Sequence, residues 1–576
     1  MVCVSRALRV AASVPVGLVL VACGSDAPAK PRAVPSSASA PVAVPAAPSA
    51  SASVGGDPAQ RAGAAASAMS DVQLAGQVLM PYAYGADADK VDAAAAAGNQ
   101  RLGKVNTPGE MVAKFHLGGL ILVGFTPDDP TGATNPATNV DSPQQVRTLT
   151  AGLQAAAQRA PGGQPLLIGT DQEFGVVTRI RTGATQLPAA MAFGAAGRPE
   201  LTEAAWHAAG TELAAMGVNV DFAPVADTLG PAGSSVIGSR AYGADPAANS
   251  LQVGAAVRGL EAAGVSAALK HFPGHGHTTG DSHDGLPVVQ HSAAEWAKRD
   301  RPPFDAGVAA GADLVMSGHL DVQGLDKGVA ATFSRKIMTD ELRGRMRFTG
   351  VAVTDAMNMA PAMKWPPGEA AVRALNAGND VLLMPPDLAA ARDGIVAGLK
   401  DGSLSRARLV EAVTRILTLK FRPGRPQPAL SVLESEGHRK AVDAAAAAAI
   451  TVLKGRCSGP LINGPVTVTA SGGREVARVT LVEELRKAGV QVQAAGGTII
   501  HLVGYGDRAT DLDPQAAVTV MLDAPYLLSA ARSGVLVATY SSSRASLTGL
   551  SAVLAGKAKA PGRSPVEVRG LPRSAC

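Results

Sequence analysis

The chain has few cysteines, few aromatic residues and almost no excess of charge of either sign. Its 576 residues include 4 cysteines, 3% aromatic residues and a formal net charge of +5. No CxxC pair occurs, so no zinc site built from sulfur ligands is expected. The small charge excess, without a basic run interleaved with aromatic residues, does not suggest nucleic-acid binding. A core of aliphatic and small side chains remains available, because 47% of the residues are hydrophobic.

The N-terminus lacks an apolar run long enough to span a bilayer comfortably. Two arginines precede an apolar stretch over residues 10–21, which ends in Leu20-Val21-Ala22-Cys23-Gly24. This ending resembles a bacterial lipobox, so residues 1–22 are predicted to be a lipoprotein signal peptide and Cys23 its lipidation site. The protein is then exported and anchored by lipid to the outer face of the cytoplasmic membrane. A plain signal peptide or a buried apolar helix is the alternative.

Large apolar side chains are scarce in the next segment. Residues 23–66 are rich in Ala, Pro and Ser, a composition that cannot bury enough surface to fold, and they are predicted to form a tether. Residues 67–425 are predicted to form the main domain, and residues 431–576 a smaller C-terminal domain.

The main domain alternates short apolar runs with Ala-rich amphipathic segments. Buried parallel strands have such apolar sequences, and eight strand–helix repeats predict an α/β fold, a (β/α)8 TIM barrel. The eight runs are 78–80, 119–123, 166–169, 218–222, 267–269, 314–316, 351–353 and 381–384.

The C-terminal region is predicted to be a smaller, sandwich-like α/β domain. Its strand-like runs are 466–468, 498–503 and 535–538. It also contains Cys457 and Cys576, which could form a disulfide in an exported protein or remain two free thiols.

Polar residues follow five consecutive strands of the predicted barrel. In such barrels the carboxyl ends of the strands meet at one face, where active sites lie. The residues are Asp171-Gln172-Glu173, Asp227, Lys270-His271, His319 and Asp355. A single acid there could be a helix N-cap, but five such strand ends predict a site.

These residues suit the hydrolysis of a glycosidic bond with retention of configuration. Asp355 could act as the nucleophile, and His283, positioned by Asp281, could donate and then accept the proton. Asp171, Arg179, Arg240 and Lys270 could hydrogen-bond sugar hydroxyls.

The motifs resemble glycoside hydrolase family 3, and within it the NagZ-type β-N-acetylglucosaminidases. The resemblance covers residues 71–420 strongly and weakens toward the C-terminus. The matching motifs, in chain order, are Asp171-Gln172-Glu173, Leu187-Pro188, Phe222-Ala223-Pro224-Val225-Ala226-Asp227, Gly238-Ser239-Arg240, Lys270-His271-Phe272-Pro273-Gly274-His275-Gly276, Asp281-Ser282-His283, Ala331-Thr332-Phe333-Ser334 and Thr354-Asp355.

The resemblance implies a role for each matching residue. Asp355 would form a covalent glycosyl-enzyme intermediate, and His283 with Asp281 would be the acid/base pair. The residues expected to bind the sugar are Asp171, Arg179, Arg240, Lys270 and His271. The implied substrate is terminal β-linked N-acetylglucosamine, most plausibly on peptidoglycan fragments. The resemblance implies that no cofactor or metal is needed. The protein is expected to be a monomer, although the sequence does not establish its oligomeric state.

The chain departs from the family pattern at four positions. Phe174 replaces the first of two glycines that usually follow Asp-Gln-Glu, and Val176 stands where an arginine is common. Ala356 replaces a second acid after the nucleophile, and His277 is unusual at its position.

Three other functions are compatible with these residues. A zinc hydrolase could use His271, His275, His277, Asp281 and His283 as ligands. A β-glucosidase of the same family, or a non-catalytic lipoprotein that binds wall fragments, would share most of the motifs. The sequence also leaves open whether water or phosphate accepts the sugar.

Overall fold

The computed structural model of the protein describes residues 57–124, 129, 131, 139–231, 233–234, 236–278 and 280–576. The predicted signal peptide, Cys23 and the predicted tether as far as residue 56 lie outside the described residues. No described helix is both long enough and apolar enough to cross a membrane.

The described strands are short, and most are fully buried. In chain order they are β1 (Leu79–Met80), β2 (Gly119–Leu122), β3 (Leu167–Thr170), β4 (Val220–Asp221), β5 (Ser266–Phe272), β6 (Val288–Val289), β7 (Leu314–Ser317), β8 (Asp321–Val322), β9 (Val351–Thr354), β10 (Leu382–Leu383), β11 (Thr451–Lys454), β12 (Val466–Ala470), β13 (Thr498–Val503), β14 (Val518–Met521) and β15 (Val535–Ala538).

The described α-helices alternate with these strands. They are α1 (Pro58–Ala68), α2 (Asp71–Gln77), α3 (Ala93–Gly103), α4 (Pro108–Phe115), α5 (Pro143–Arg159), α6 (Ala190–Ala196), α7 (Pro199–Ala215), α8 (Pro246–Ala263), α9 (Ala293–Arg299), α10 (Arg301–Ala309), α11 (Gln323–Asp326), α12 (Pro367–Ala377), α13 (Leu388–Asp401), α14 (Arg406–Lys420), α15 (Glu436–Ala449), α16 (Glu475–Lys487) and α17 (Arg544–Leu554). A π-helix, Lys336–Arg345, follows β7 and β8.

The first eight apolar runs form a closed barrel of parallel strands. Strands β2, β3, β4, β5, β7 and β9 pair in that order, and β10 pairs with β1. The two groups are joined where Thr354 N donates to Val381 O (2.9 Å) and Ile121 N donates to Pro81 O (3.0 Å). The predicted (β/α)8 fold is confirmed.

Helix ends in the barrel follow simple sequence signals. Asp245 caps α8 by accepting hydrogen bonds from Ala247 N and Ala248 N, and Pro246 occupies the first turn. The helix ends at Gly264, whose φ of 85° lies in the left-handed region that favours glycine. Such sharp ends set where each loop leaves the barrel.

The C-terminal domain is an α/β sheet flanked by helices, as predicted. Its strand order is β11-β15-β14-β13-β12, with β11 antiparallel to β15 and the other pairs parallel. The three strands predicted here are present, whereas β11 and β14 were not predicted. Cys457 and Cys576 form a disulfide with their Cα atoms 5.3 Å apart.

The C-terminal domain packs against barrel segments beside the strand ends. Val225, Leu229 and Ile237 share an apolar cluster with Leu528 and Val566. The backbones also meet, because Ala244 N donates to Pro565 O (3.2 Å) and Arg563 N to Ala195 O (3.0 Å). This contact holds the loop that carries Arg240.

The tether was predicted to extend too far. Helix α1 begins at Pro58, after an N-cap at Asp57, and packs against α14. Its alanines Ala62 and Ala66 are fully buried. Residues 58–66 therefore belong to the folded protein, because small alanine side chains allow close helix packing despite the Ala-rich composition.

Candidate active site

A pocket opens at the carboxyl ends of the barrel strands. Seven residues predicted for the site line it, and these are Asp171, Arg179, Arg240, Lys270, His271, His283 and Asp355. Asp281 contacts His283. The structure thus brings together every catalytic and sugar-binding residue predicted from the sequence.

Four charged side chains at the ends of β3 and β5, and on the loop after β4, form a network that we call the strand-end cluster: Asp171, Glu173, Arg240 and Lys270. Lys270 Nζ lies 2.8 Å from Asp171 Oδ1 and 2.7 Å from Glu173 Oε1. Arg240 binds Glu173 through two parallel hydrogen bonds of 2.7 and 2.9 Å. Each buried charge is therefore paired, which offsets its loss of hydration.

The pairing sets the ionisation of the cluster. Burial raises the pKa of the Asp171 carboxyl, but Lys270 and Arg179 outweigh it, and the net pKa is below its ordinary value. Burial likewise opposes ionisation of Glu173, yet Arg240 and Lys270 hold its pKa well below the usual range. Burial lowers the pKa of Lys270, but the two carboxylates raise it overall. All these groups are charged at neutral pH.

Arg179 is fixed by acids on two sides. Its Nη1 contacts Asp129 Oδ2, and its Nη2 lies 2.9 Å from Thr131 Oγ1 and 3.4 Å from Asp171 Oδ2. Asp129 precedes α5 and was not singled out from the sequence. Asp129 lies in the connection after β2 and not directly at a strand end, so the sequence pattern did not mark it as a site residue.

His271 is oriented by a second buried acid. Asp227 Oδ2 lies 2.8 Å from His271 Nδ1, and Asp227 Oδ1 accepts hydrogen bonds from His271 N and His275 N. Since Asp227 accepts at Nδ1, the proton belongs there, and His271 Nε2 faces Arg240 Nη2 at 3.3 Å as an acceptor. Burial raises the pKa of Asp227, but His271 reverses this and lowers it.

Asp355 follows β9 and differs from the paired acids. Its Oδ1 accepts a hydrogen bond from Ala356 N at 2.8 Å, and among the described residues no lysine or arginine forms an ion pair with it. Burial raises its pKa, but His271, His319 and the Ala356 N–H lower it below the ordinary value. Asp355 is therefore an ionised carboxylate that forms no ion pair with a described lysine or arginine, so its oxygens remain available for nucleophilic attack.

Asp281 and His283, which we call the loop dyad, lie on the loop between β5 and β6. Asp281 Oδ1 lies 2.6 Å from His283 Nδ1 and also accepts from His283 N at 2.9 Å. These contacts place the proton on Nδ1 and leave Nε2 for proton exchange. Burial raises the pKa of Asp281, but the hydrogen bonds from His283 lower it overall.

The histidines proposed for a zinc hydrolase do not converge. His271 contacts Asp227, His275 contacts Thr278 and Ser282, and His283 contacts Asp281. Within the described ranges, the one group of three metal-ligand side chains that meets is His277, His291 and Asp300. These three residues do not line the pocket.

Two further acids of the site, Glu173 and Asp227, were noted in motifs but given no role. Both stand at strand ends in the sequence, so their proximity was predictable. Their function as partners of Arg240 and His271 depends on contacts between different strands, which the sequence does not show.

Comparison with known proteins identifies the family. The chain matches the glycosyl hydrolase family 3 N-terminal domain over residues 90–419, more than half of its length. The chain belongs to glycoside hydrolase family 3. The prediction of a glycoside hydrolase is thereby confirmed at the level of the family.

Two relatives in the sequence comparison have names more specific than that of the family. The chain is 34% identical over 376 residues to beta-hexosaminidase A of Pseudoalteromonas piscicida, a match that covers 60% of each protein. It is 39% identical over 267 residues to a beta-hexosaminidase of Pseudomonas aeruginosa strain LESB58, covering 45% of this chain and 76% of the relative. The chain thus spans about three fifths of the first relative's length.

A solved structure resembles almost the whole described chain. It is a glycoside hydrolase family 3 beta-N-acetylglucosaminidase from Paenibacillus sp. str. FPU-7, with a TM-score of 0.75 and 29% sequence identity. The similarity covers 87% of this chain and 99% of that one, and so includes both domains.

Proposed function

We propose that the protein hydrolyses terminal β-linked N-acetylglucosamine with retention, through a covalent glycosyl ester of Asp355. The observation that carries this proposal is one pocket lined by an ionised carboxylate that pairs with no described lysine or arginine, and by a histidine paired with an acid. The beta-hexosaminidase names of the relatives support the choice of sugar.

In the first step, Asp355 attacks the anomeric carbon and the bond to the leaving oxygen breaks. His283 Nε2–H gives its proton to that oxygen. Asp281 keeps the imidazole in place through Nδ1 and stabilises the positive charge that His283 carries before transfer. The low pKa of Asp355 keeps it ionised for the attack.

In the second step, His283 Nε2 removes a proton from water, and the water oxygen attacks the anomeric carbon. The ester bond to Asp355 breaks, and its carboxylate is restored. Two inversions give net retention. A neutral imidazole adds no negative charge beside the acceptor, which leaves phosphate as an alternative to water.

The strand-end cluster suits the binding of a single terminal sugar. Asp171 and Lys270 line the pocket together with Arg179, so both acceptors and donors face the hydroxyls. Because these groups already bind one another, they are in position before the substrate arrives, and little entropy is lost on binding.

Peptidoglycan fragments are the proposed source of the sugar. The support is the predicted export and lipid anchoring at Cys23, which would place the site next to the cell wall. The export, the lipid anchor and the peptidoglycan substrate are parts of one proposal.

Release of nitrophenol from 4-nitrophenyl β-N-acetylglucosaminide tests the proposal. A soluble form lacking the first 56 residues should turn it over, and Asp355→Ala should reduce kcat by at least about four orders of magnitude, because the nucleophile is lost. A mass increase of one sugar on intact protein after reaction with an activated fluoro-sugar would locate the ester.

The matched substrate is 4-nitrophenyl β-glucoside. Faster turnover of the glucoside would favour the β-glucosidase alternative. Sugar binding without turnover of either substrate would favour the wall-fragment-binding lipoprotein.

A further inference from the structure

Both ends of the loop that carries the acid/base pair meet at one buried carboxylate. His277 precedes this loop and His291 follows it. His277 Nδ1 lies 2.7 Å from Asp300 Oδ1, and His291 Nδ1 lies 2.7 Å from Asp300 Oδ2. Asp281 and His283 lie between the two histidines in the chain. The pair of contacts therefore closes the base of the loop.

The Asp300 side chain is fully buried, and the two histidine side chains are partly exposed to solvent. The Asp300 side chain is 0% exposed, whereas those of His277 and His291 are 9% and 15% exposed. One ligand atom from each residue lies within 4.8 Å of the others, and the two imidazole rings are 4.4 Å apart. An ion could reach this point from solvent and find three donor atoms close together.

We propose that His277, His291 and Asp300 form a structural Zn²⁺ site. Two imidazole nitrogens and one carboxylate oxygen are a donor set that zinc accepts, with water as the fourth ligand. Calcium and magnesium prefer oxygen ligands only, so two imidazoles select against them. This proposal differs from the expectation, drawn from the sequence, that the protein needs no metal.

Binding requires a small rearrangement. Around tetrahedral zinc with bonds of about 2.0 Å, neighbouring ligand atoms are about 3.3 Å apart. The present 2.7 Å contacts are hydrogen bonds, so the ion takes the place of the two Nδ1 protons and the ligand atoms move apart by about 0.6 Å. The proton that leaves each Nδ1 is exchanged through solvent onto Nε2, so each imidazole binds zinc as the neutral tautomer protonated at Nε2.

The base of the site is held firmly by its surroundings. Trp296 Nε1 donates to Pro273 O at 2.8 Å, just before His277. Gly274, with φ of 127°, brings the backbone so near Asp300 that a Cβ there would come within 2.8 Å of the aspartate Cβ. A metal at this point would join two segments that the fold already fixes, and would hold the loop dyad between them.

Zinc binding to metal-stripped, full-length protein without a polyhistidine tag tests the proposal. Isothermal titration should show one Zn²⁺ per chain, and zinc should raise the melting temperature in a concentration-dependent way. His277→Ala, His291→Ala and Asp300→Asn should each weaken binding by about a hundredfold or more, because one of three ligands is lost. These readouts need no activity, so they stand apart from the proposed hydrolysis.

Two matched variants separate this site from others. His207→Ala removes an exposed histidine, and His283→Ala removes one from the pocket. Both should keep the wild-type affinity for zinc. Loss of zinc in His283→Ala, with full binding in His291→Ala, would overturn the proposal.

If a variant does not fold, the binding of Co²⁺ to the wild-type protein tests the metal site. The intensified visible absorption of four-coordinate Co²⁺, displaced by one equivalent of Zn²⁺, is the expected result. The spectrum of the hexaaqua ion, or no stoichiometric binding, would show that the cluster is held by hydrogen bonds only.

Discussion

The strand-end cluster and His283 of the loop dyad line the same pocket, but the cluster and the dyad hold their charges in different ways. In the strand-end cluster the Glu173, Arg240 and Lys270 side chains are 3% exposed, and each contacts two charged partners or a bidentate one. In the loop dyad, the Asp281 side chain is 28% exposed and His283 has a single acidic partner. A group that binds substrate can keep its charge fixed, whereas a group that transfers protons must change its charge at little cost.

Breaking the cluster should produce the largest effect. Arg240→Met leaves Glu173 with Lys270 as its remaining cationic partner in a buried site, so we expect a loss of about 3–5 kcal/mol in the free energy of unfolding. Urea denaturation followed by circular dichroism measures this. Activity should fall as well, because His271 loses its contact with Arg240.

The control for that variant is Arg198→Met. Arg198 pairs with Glu200 in a salt bridge whose side chains are 58% and 62% exposed, so its loss should leave stability unchanged. Equal effects of the two substitutions would contradict the distinction between fixed and exposed charges.

Breaking the dyad should affect rate and not stability. For His283→Ala we expect kcat for 4-nitrophenyl β-N-acetylglucosaminide to fall by about 10²–10⁴-fold, the usual worth of a general acid/base. The melting temperature should stay near that of the wild type, since the loop dyad lies at the pocket rather than in the core. A large drop in melting temperature would show that the loop dyad is structural.

Lowering the pH should reduce the difference in the free energy of unfolding between Arg240→Met and the wild type. The folded pKa of Glu173 is depressed, and its unfolded value is about 4.3, so its stabilising contribution is complete above that pH and is lost as pH falls toward the folded pKa. In the variant the folded pKa is less depressed, so less is lost. We expect the stability gap to shrink by up to about 1 kcal/mol between pH 6 and pH 3.5, measured by urea denaturation at each pH. A gap that is constant or widens would contradict this assignment.

The sequence predicted the barrel and the side chains at its strand ends for one physical reason. Buried parallel strands need continuous apolar residues, and the polar residue that ends each run must lie at the barrel mouth. This reasoning located Asp171, Lys270, His271 and Asp355 without any knowledge of contacts. The chemistry of glycosidic-bond hydrolysis then pointed to Arg179, Arg240 and the loop dyad, which stand on loops, and the resemblance gave the same residues the same roles.

What the sequence could not predict are contacts between distant segments. Asp129 binds Arg179, and Asp300 joins His277 to His291, yet nothing in their local sequence marks them. Strands β11 and β14, each four residues long, were not predicted, although their β-branched residues favour a strand. The predicted roles of the site residues, the anchor and the substrate remain predictions.

The most direct test of the division between fixed binding groups and a proton-transferring dyad is the leaving-group dependence of His283→Ala. The measured quantity is kcat/KM, which reports the first chemical step, for β-N-acetylglucosaminides with 2,4-dinitrophenyl and methyl leaving groups. A dinitrophenolate departs without a proton, so the variant should keep its rate within about tenfold, whereas the methyl glycoside should lose about 10³-fold or more. An equal loss for both leaving groups would contradict the account, because it would mean that His283 holds the substrate and does not protonate the leaving oxygen.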